Sequence, residues 1–108
     1  MNRRSQFEDI YQRGVTVDTA SFRLVYRENR RSCSRFAAVV SKRFGSAVRR
    51  NKAKRIARKI FHEFQRRPRP PCDIILFPKK EMLVHGYPLL TSDFERAMRQ
   101  PRRDKKSP

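Results

Sequence analysis

Acidic residues are scarce in this chain. Ten Asp and Glu stand against 28 Lys and Arg over 108 residues. They are scattered and mostly interleaved with basic residues, which speaks against a two-metal hydrolytic centre built by this chain alone. Histidine is scarcer still: His62 and His85 have no partner at metal-ligand or triad spacing. Cysteine is limited to Cys33 and Cys72, which form no C-x-x-C, so no zinc spacing is present. The two read as free thiols of a reducing cytosol, with a single disulfide as the alternative. There is no glycine-rich phosphate loop and no internal repeat. No apolar run approaches the roughly 20 residues that span a membrane. The N-terminal MNRRSQFEDIY has basic residues but no apolar stretch behind them, so no signal peptide is expected. What is missing, taken together, excludes a self-sufficient protein active site as the leading reading.

What is present is positive charge. The net charge is +18 and the isoelectric point is near 11.4. Self-repulsion of that size weakens a compact state and points to a polyanionic partner. The hydrophobic content of 37%, with eight Phe and three Tyr, is enough for one modest core. We expect a single domain over residues 1–100 and a basic, disordered tail over 101–108.

The charge has a focus. Residues 46–67, SAVRRNKAKRIARKIFHEFQRR, read as one helix with two unlike sides. At about 100° per residue, with Arg50 at zero, Ala53, Ile56, Ala57, Ile60 and Phe64 occupy an arc from roughly 240° to 340°. Arg50, Asn51, Lys54, Arg55, Arg58 and His62 occupy roughly 0° to 140°, and Phe61 sits at the seam. The apolar arc requires a partner to bury it. Nine Lys and Arg face one acid, Glu63, in this segment. The i, i+4 series Arg50, Lys54, Arg58 therefore destabilises the isolated helix by a few tenths of a kcal/mol per pair, about 0.2–0.5. A solvated mixed-charge face does not describe it, and an external polyanion does.

The remaining elements follow from local pattern. Ser5 with Glu8 is a capping box that opens a short helix, closed by Gly14. It sets Phe7 and Tyr11 on one face, as core or as an exposed stacking pair. A short extended segment at 15–17 and a turn near Asp18 lead to a strand over 21–27. There Phe22, Leu24 and Tyr26 point one way while Arg23, Val25 and Arg27 point the other. A polar hairpin loop is expected at 28–34. The run RFAAVVS at 35–41 is apolar on both faces and reads as a central strand. Ser46 caps the long helix, which stops before Pro68. DIILF at 73–77 reads as a buried strand, 79–87 as loop with at most one helical turn, and Ser92 with Glu95 as the start of a last helix that Pro101 ends. The predicted class is α+β, an α/β sandwich ordered α-β-β-β-α-β-α, with a small sheet against the long basic helix. Any βαβ crossover within 35–77 would by default be right-handed.

Composition leaves DNA and RNA both open as partners, since a basic helix fits a major groove or structured RNA. Phe7 and Tyr11, beside Arg23 on an open sheet face, are the combination that stacks on unpaired bases, which favours RNA with a single-stranded portion.

Val40-Ser41-Lys42-Arg43, then Gly45, Ala47-Val48, Arg50-Asn51-Lys52 and Lys54-Arg55, with Arg58 beyond, resemble the signature of the bacterial ribonuclease P protein subunit. The aromatic opening helix, FRLVY and DIILF extend the resemblance over most of the chain. It implies the accessory subunit of a cytoplasmic ribonucleoprotein that removes the 5′ leader of precursor tRNA. In that family the RNA subunit hydrolyses the phosphodiester with bound Mg²⁺. The implied partners are the catalytic RNA and precursor tRNA, with no membrane and no obligate protein partner. The family fold replaces the default handedness by a left-handed crossover. The resemblance also assigns Lys42, Arg50, Asn51, Lys52, Lys54, Arg55 and Arg58 to the RNA subunit. Lys52 stands where relatives more often have Arg, which keeps the charge and loses the bidentate fork. The leader cleft falls on Phe7, Tyr11, Arg23, Val25, Val39 and Arg43. Val25 replaces a residue that is often aromatic and Val39 one that is often polar, so Tyr26 is the alternative stacking residue. A general RNA-binding or ribosomal protein without a part in catalysis is the competing reading. A nuclease in its own right is a third.

If the basic helix neutralises about six phosphates, the log–log salt slope of RNA binding is near −4 to −5. Sulfate or phosphate is expected to raise the thermal midpoint over chloride at matched ionic strength. Equal midpoints would contradict the view that the free chain is under charge strain.

Overall fold

In the computed structural model, residues 13–29, 32–66 and 70–99 are described. They form β1 (Val15–Asp18), β2 (Phe22–Glu28), β3 (Arg35–Ala38), α1 (Ala47–Gln65), β4 (Cys72–Pro78) and α2 (Tyr87–Met98), with 3₁₀ turns at Lys42–Phe44 and Lys80–Leu83. Six of the seven expected elements are thus seen in the expected order. The expected opening helix, from Ser5 to its close at Gly14, lies outside the described residues up to residue 12. So do the expected tail at 101–108 and the stop at Pro68.

The sheet order is β1-β2-β4-β3. β2 pairs antiparallel with β1 and β4, whereas β3 runs parallel to β4. This corrects two expectations. β3 is an edge strand, not a central one, and residues 28–34 form no hairpin, because β4 inserts between β2 and β3. The reason is burial. DIILF is apolar from Ile74 onward, its one charge is paired within the fold, and β4 is buried along Cys72–Leu76, so it takes the place with two neighbours. β3 is only half-buried throughout. Its pairing ends at Ala38, with one further bond from the Val39 N–H to the Leu76 carbonyl at 2.9 Å.

Period-two alternation divides the sheet as read from β2. Phe22, Leu24 and Tyr26 share a face with Ile74 and Leu76, and all are buried in the main core. The apolar arc of α1 packs on this face through Ala53, Ala57, Ile60, Phe61 and Phe64. Phe61, at the seam of the helix, stacks on Phe36 of β3 at 4.6 Å between centroids and 12° between planes. Phe94 of α2 meets Phe64 edge-on at 5.1 Å and Phe22 at 6.2 Å, which ties both helices to β2. The Ser46 hydroxyl caps α1 by accepting from the Arg49 N–H at 3.2 Å. Gly45 sits at φ +150°, and a Cβ there would lie 3.3 Å from Arg49 Cδ. Glycine thus permits the turn and the Arg49 stem across it.

α2 begins at Tyr87, five residues before the expected cap at Ser92. Gly86 precedes it and Pro88 lies in its first turn, where a missing N–H costs nothing. Leu90 and Phe94, at i, i+4, then enter the core from one stripe. Ser92 is an interior residue of the helix.

On the opposite face Asp73 is fully buried. Arg35 grips it with two bonds, Nε to Oδ1 at 2.9 Å and Nη2 to Oδ2 at 2.8 Å, and Asn29 Nδ2 donates to Oδ1 at 2.8 Å. Burial alone would push this carboxyl up. The hydrogen bonds from Arg35 and Asn29, with the charges of Arg35 and Arg27, outweigh it and hold the pKa below the usual value. Stability from this group is complete above an ordinary carboxylate pKa of about 3.9 and is lost as pH falls through the depressed folded value. Asp73→Ala is expected to cost about 3 kcal/mol, the low end for a broken buried pair, because Arg35 can regain water. Urea midpoints of wild type and variant should converge as the solution is acidified, and parallel curves would show that Asp73 contributes nothing through its charge.

Candidate nucleic-acid interface

With its apolar arc on the sheet, α1 must turn its other side outward. Arg49, Asn51, Lys52, Arg55, Arg58, Lys59 and His62 are exposed, while Arg50 and Lys54, which flank Ala53, are half-buried. Lys42 and Arg43 extend the surface from the 3₁₀ turn just before the helix, both exposed. The ion pairs among the described residues are Arg23–Asp18, Arg35–Asp73, Lys79–Asp18 and Arg96–Asp93. None of them involves a cation of α1. Lys59 of α1 takes an aromatic partner, its Nζ standing 4.6 Å from the Tyr87 ring centroid. Charges left this way favour an anion.

The second group of expected contact residues lies on the other side of the sheet. Arg23 and Val25 share the face opposite α1 and are two residues apart on β2. Arg23 is half-exposed, with its Nε 3.9 Å from Asp18 Oδ1. Val25 is 0% exposed and forms a small cluster with Ile75, against which Phe77 packs. It therefore supports the surface from beneath. Tyr26, the alternative stacking residue, is on the α1 side within the main core. A one-residue shift would have exposed it, and the ladder excludes that shift. Val39 stands just past β3 and is 38% exposed. Phe7 and Tyr11 lie outside the described residues. The structure thus separates the basic arc of α1 from Arg23 and Val25 by the thickness of the sheet, with Lys42 and Arg43 in the turn that leads from one strand edge into α1.

Asp18, Phe77 and Lys79, on the face of Arg23, were not anticipated. Asp18, Arg23 and Phe77 are direct cross-strand neighbours, and Lys79 follows at the end of β4. Alternation within 73–77 does put Phe77 on the face of Asp73 and Ile75. Its meeting with Arg23 needs the β2–β4 register, which is a long-range pairing.

Two further features bear on chemistry. Ser21 Oγ and His85 Nδ1 are 2.6 Å apart. Ser21 is fully buried, so the pair joins the β1–β2 turn to the segment before α2. Among the described residues no three His, Cys, Asp or Glu gather to hold a metal ion. Cys33 and Cys72 are free, the first exposed and the second buried.

Comparison with known proteins adds an independent line. A family model for ribonuclease P matches residues 1–102. The ribonuclease P protein component of Desulfatibacillum aliphaticivorans is 34% identical over 95 residues, covering 88% of this chain and 80% of that protein. The RNase P protein from Thermotoga maritima, solved in complex with 1-(4-fluorophenyl)-2-thiourea, has TM-score 0.79 at 26% identity. The alignment covers 94% of this chain and 99% of that one. The Staphylococcus aureus RNase P protein has TM-score 0.71 at 25% identity, covering 91% and 90%. A match through almost the whole chain, on a shared fold, means that this chain belongs to the bacterial ribonuclease P protein family.

Proposed function

We propose that this chain is the accessory subunit of an RNA-catalysed endoribonuclease that removes the 5′ leader of precursor tRNA. The basic arc of α1 docks the catalytic RNA, and the opposite sheet face receives the leader. The observation that carries this is the two-sidedness of the molecule. α1 offers Arg50, Asn51, Lys52, Lys54, Arg55 and Arg58 without a carboxylate partner among the described residues. The other face offers Arg23, Val39 and a half-buried Phe77, with Phe7, Tyr11, Val25 and Arg43 completing the expected cleft.

In this reading Mg²⁺, held mainly by the RNA subunit, supplies the hydrolytic chemistry. The protein acts by charge and position. Cations of Lys42 and α1 neutralise phosphates where two RNAs approach, and fewer free cations are then needed to overcome their repulsion. Arg50 and Lys54, half-buried beside Ala53, are held more firmly than their exposed neighbours and serve as the best-ordered contacts. Leader contact on the opposite face gives precursor tRNA an advantage over mature tRNA, which lacks that segment. The site of action is the cytoplasm, and no described helix is long and apolar enough to cross a membrane.

The test is cleavage of precursor tRNA at low Mg²⁺ by the cognate RNA subunit, with and without this protein. Stimulation is expected, and its absence would sink the proposal, as would equal binding to unrelated RNAs at moderate salt. Arg50→Ala should weaken binding to the RNA subunit across all substrates and lower the salt slope by about 1. Phe7→Ala should leave that binding intact and reduce the preference for precursor over mature tRNA, by about 1–3 kcal/mol if a base stacks there. Identical behaviour of the two variants would refute the two-surface arrangement.

A further inference from the structure

The cations of α1 fall in two rows. At about 100° per residue from Arg50, the row Arg50, Lys54, Arg58 lies at roughly 0° to 80°. Lys52, Arg55 and Lys59, spaced i, i+3 and i+7, lie at roughly 140° to 200°, and all three are exposed. This second row is about 10 Å long at about 1.5 Å per residue. Its last member, Lys59, stands outside the residues assigned to the RNA subunit. It is held from the other helix, with its Nζ 4.6 Å from the centroid of the Tyr87 ring.

Tyr87 is a firm anchor. It is the first residue of α2 and packs against the main core. It follows Gly86, whose carbonyl accepts from the Leu89 and Leu90 N–H groups at 3.1 and 3.2 Å. The Tyr87 hydroxyl is buried without a hydrogen-bond partner among the described residues. The hydroxyl therefore does not account for an aromatic residue here, and the ring face does. Burial and the charge of Glu63 hold the phenol above its usual pKa, which keeps the ring neutral. Glu63 follows Lys59 by four residues, an ordinary spacing for an ion pair, yet Lys59 is in none of the ion pairs among the described residues. The difference matters. A carboxylate would cancel the charge of Lys59, whereas an aromatic face holds the ammonium and leaves its charge intact. Past the ring the surface becomes mixed, as Glu63 and Glu95 join Arg66 around a cavity of about 570 Å³.

We propose that Lys59, positioned by the Tyr87 ring, is a further phosphate contact for the catalytic RNA and ends the second row of cations on α1. The inference rests on the docking of α1 on that RNA and gives α2 a part in it. A free lysine must have its flexible stem ordered on binding, which costs affinity. Lys59 is already held in one place, so less of its contact is lost to ordering. Tyr87 itself touches no phosphate and acts through Lys59.

The experiment is a double-mutant cycle on binding of the full chain to the cognate RNA subunit, measured across a salt series. Lys59→Ala should weaken binding about five- to eightfold at ~0.1 M salt and lower the salt slope by about 0.7 to 0.9, the share of one phosphate. Tyr87→Leu should weaken binding about two- to fivefold and leave the slope unchanged, because the charge remains. In the Lys59→Ala background Tyr87→Leu should have no further effect on binding. A merely structural role of Tyr87 would cause the same loss in both backgrounds, so a weakened fold in Tyr87→Leu does not pass for the proposed role. Tyr87→Phe keeps the ring and should bind as wild type does. Unchanged binding by Lys59→Ala would overturn the proposal, as would equal losses from Tyr87→Leu in both backgrounds. A loss in Tyr87→Phe as large as in Tyr87→Leu would do the same. If Arg50→Ala also leaves binding unchanged, the docking of α1 itself fails. A loss in Arg50→Ala with none in Lys59→Ala refutes the role of Lys59 alone.

Discussion

A buried carboxylate holds the sheet together at its most demanding point. Asp73 is the second residue of the strand that inserts between β2 and β3, and its oxygens bind one side chain from each flank, Asn29 just after β2 and Arg35 on β3. An unpaired charge at that depth would cost several kcal/mol, so the three groups must arrive together. Once they do, Arg35 stands opposite Asp73 and the parallel register of β3 follows. The end of β3 then sets where the chain turns into α1, and with it the direction in which the basic arc faces.

The helix illustrates how charge and core divide one element. Nineteen residues of α1 carry almost no acid, yet the helix stays on the sheet because its five buried side chains lie in one stripe. Apart from Lys59, which stands over the Tyr87 ring, the cations of α1 have no ion-pair partner among the described residues. Their cost is borne by the apolar contacts, above all Phe61 on Phe36 and Phe64 against Phe94.

The opposite face obeys a different logic. Its centre is apolar, with Val25 and Ile75 buried, and Arg23, Asp18 and Lys79 stand together at one rim.

Period, capping and charge are local properties, and they determined a good deal here. The two sides of α1, the cap at Ser46, the two faces of β2 and the burial of DIILF all follow from neighbours within a few residues. So does the placement of Lys42, Arg50, Asn51, Lys52, Lys54, Arg55 and Arg58 on an outward surface. The start of α2 lies before Ser92 because the capping pattern there competes with the apolar spacing of Leu90 and Phe94, and burial of that stripe prevails. Only the tertiary structure decided the sheet order. Whether β3 or β4 is central depends on which strand gains more from two neighbours, and pairing partners far apart in the chain leave no periodic trace. For the same reason the meeting of Asp18, Arg23 and Phe77 belongs to the fold alone: each residue is ordinary in its own segment, and the register of three strands makes them neighbours.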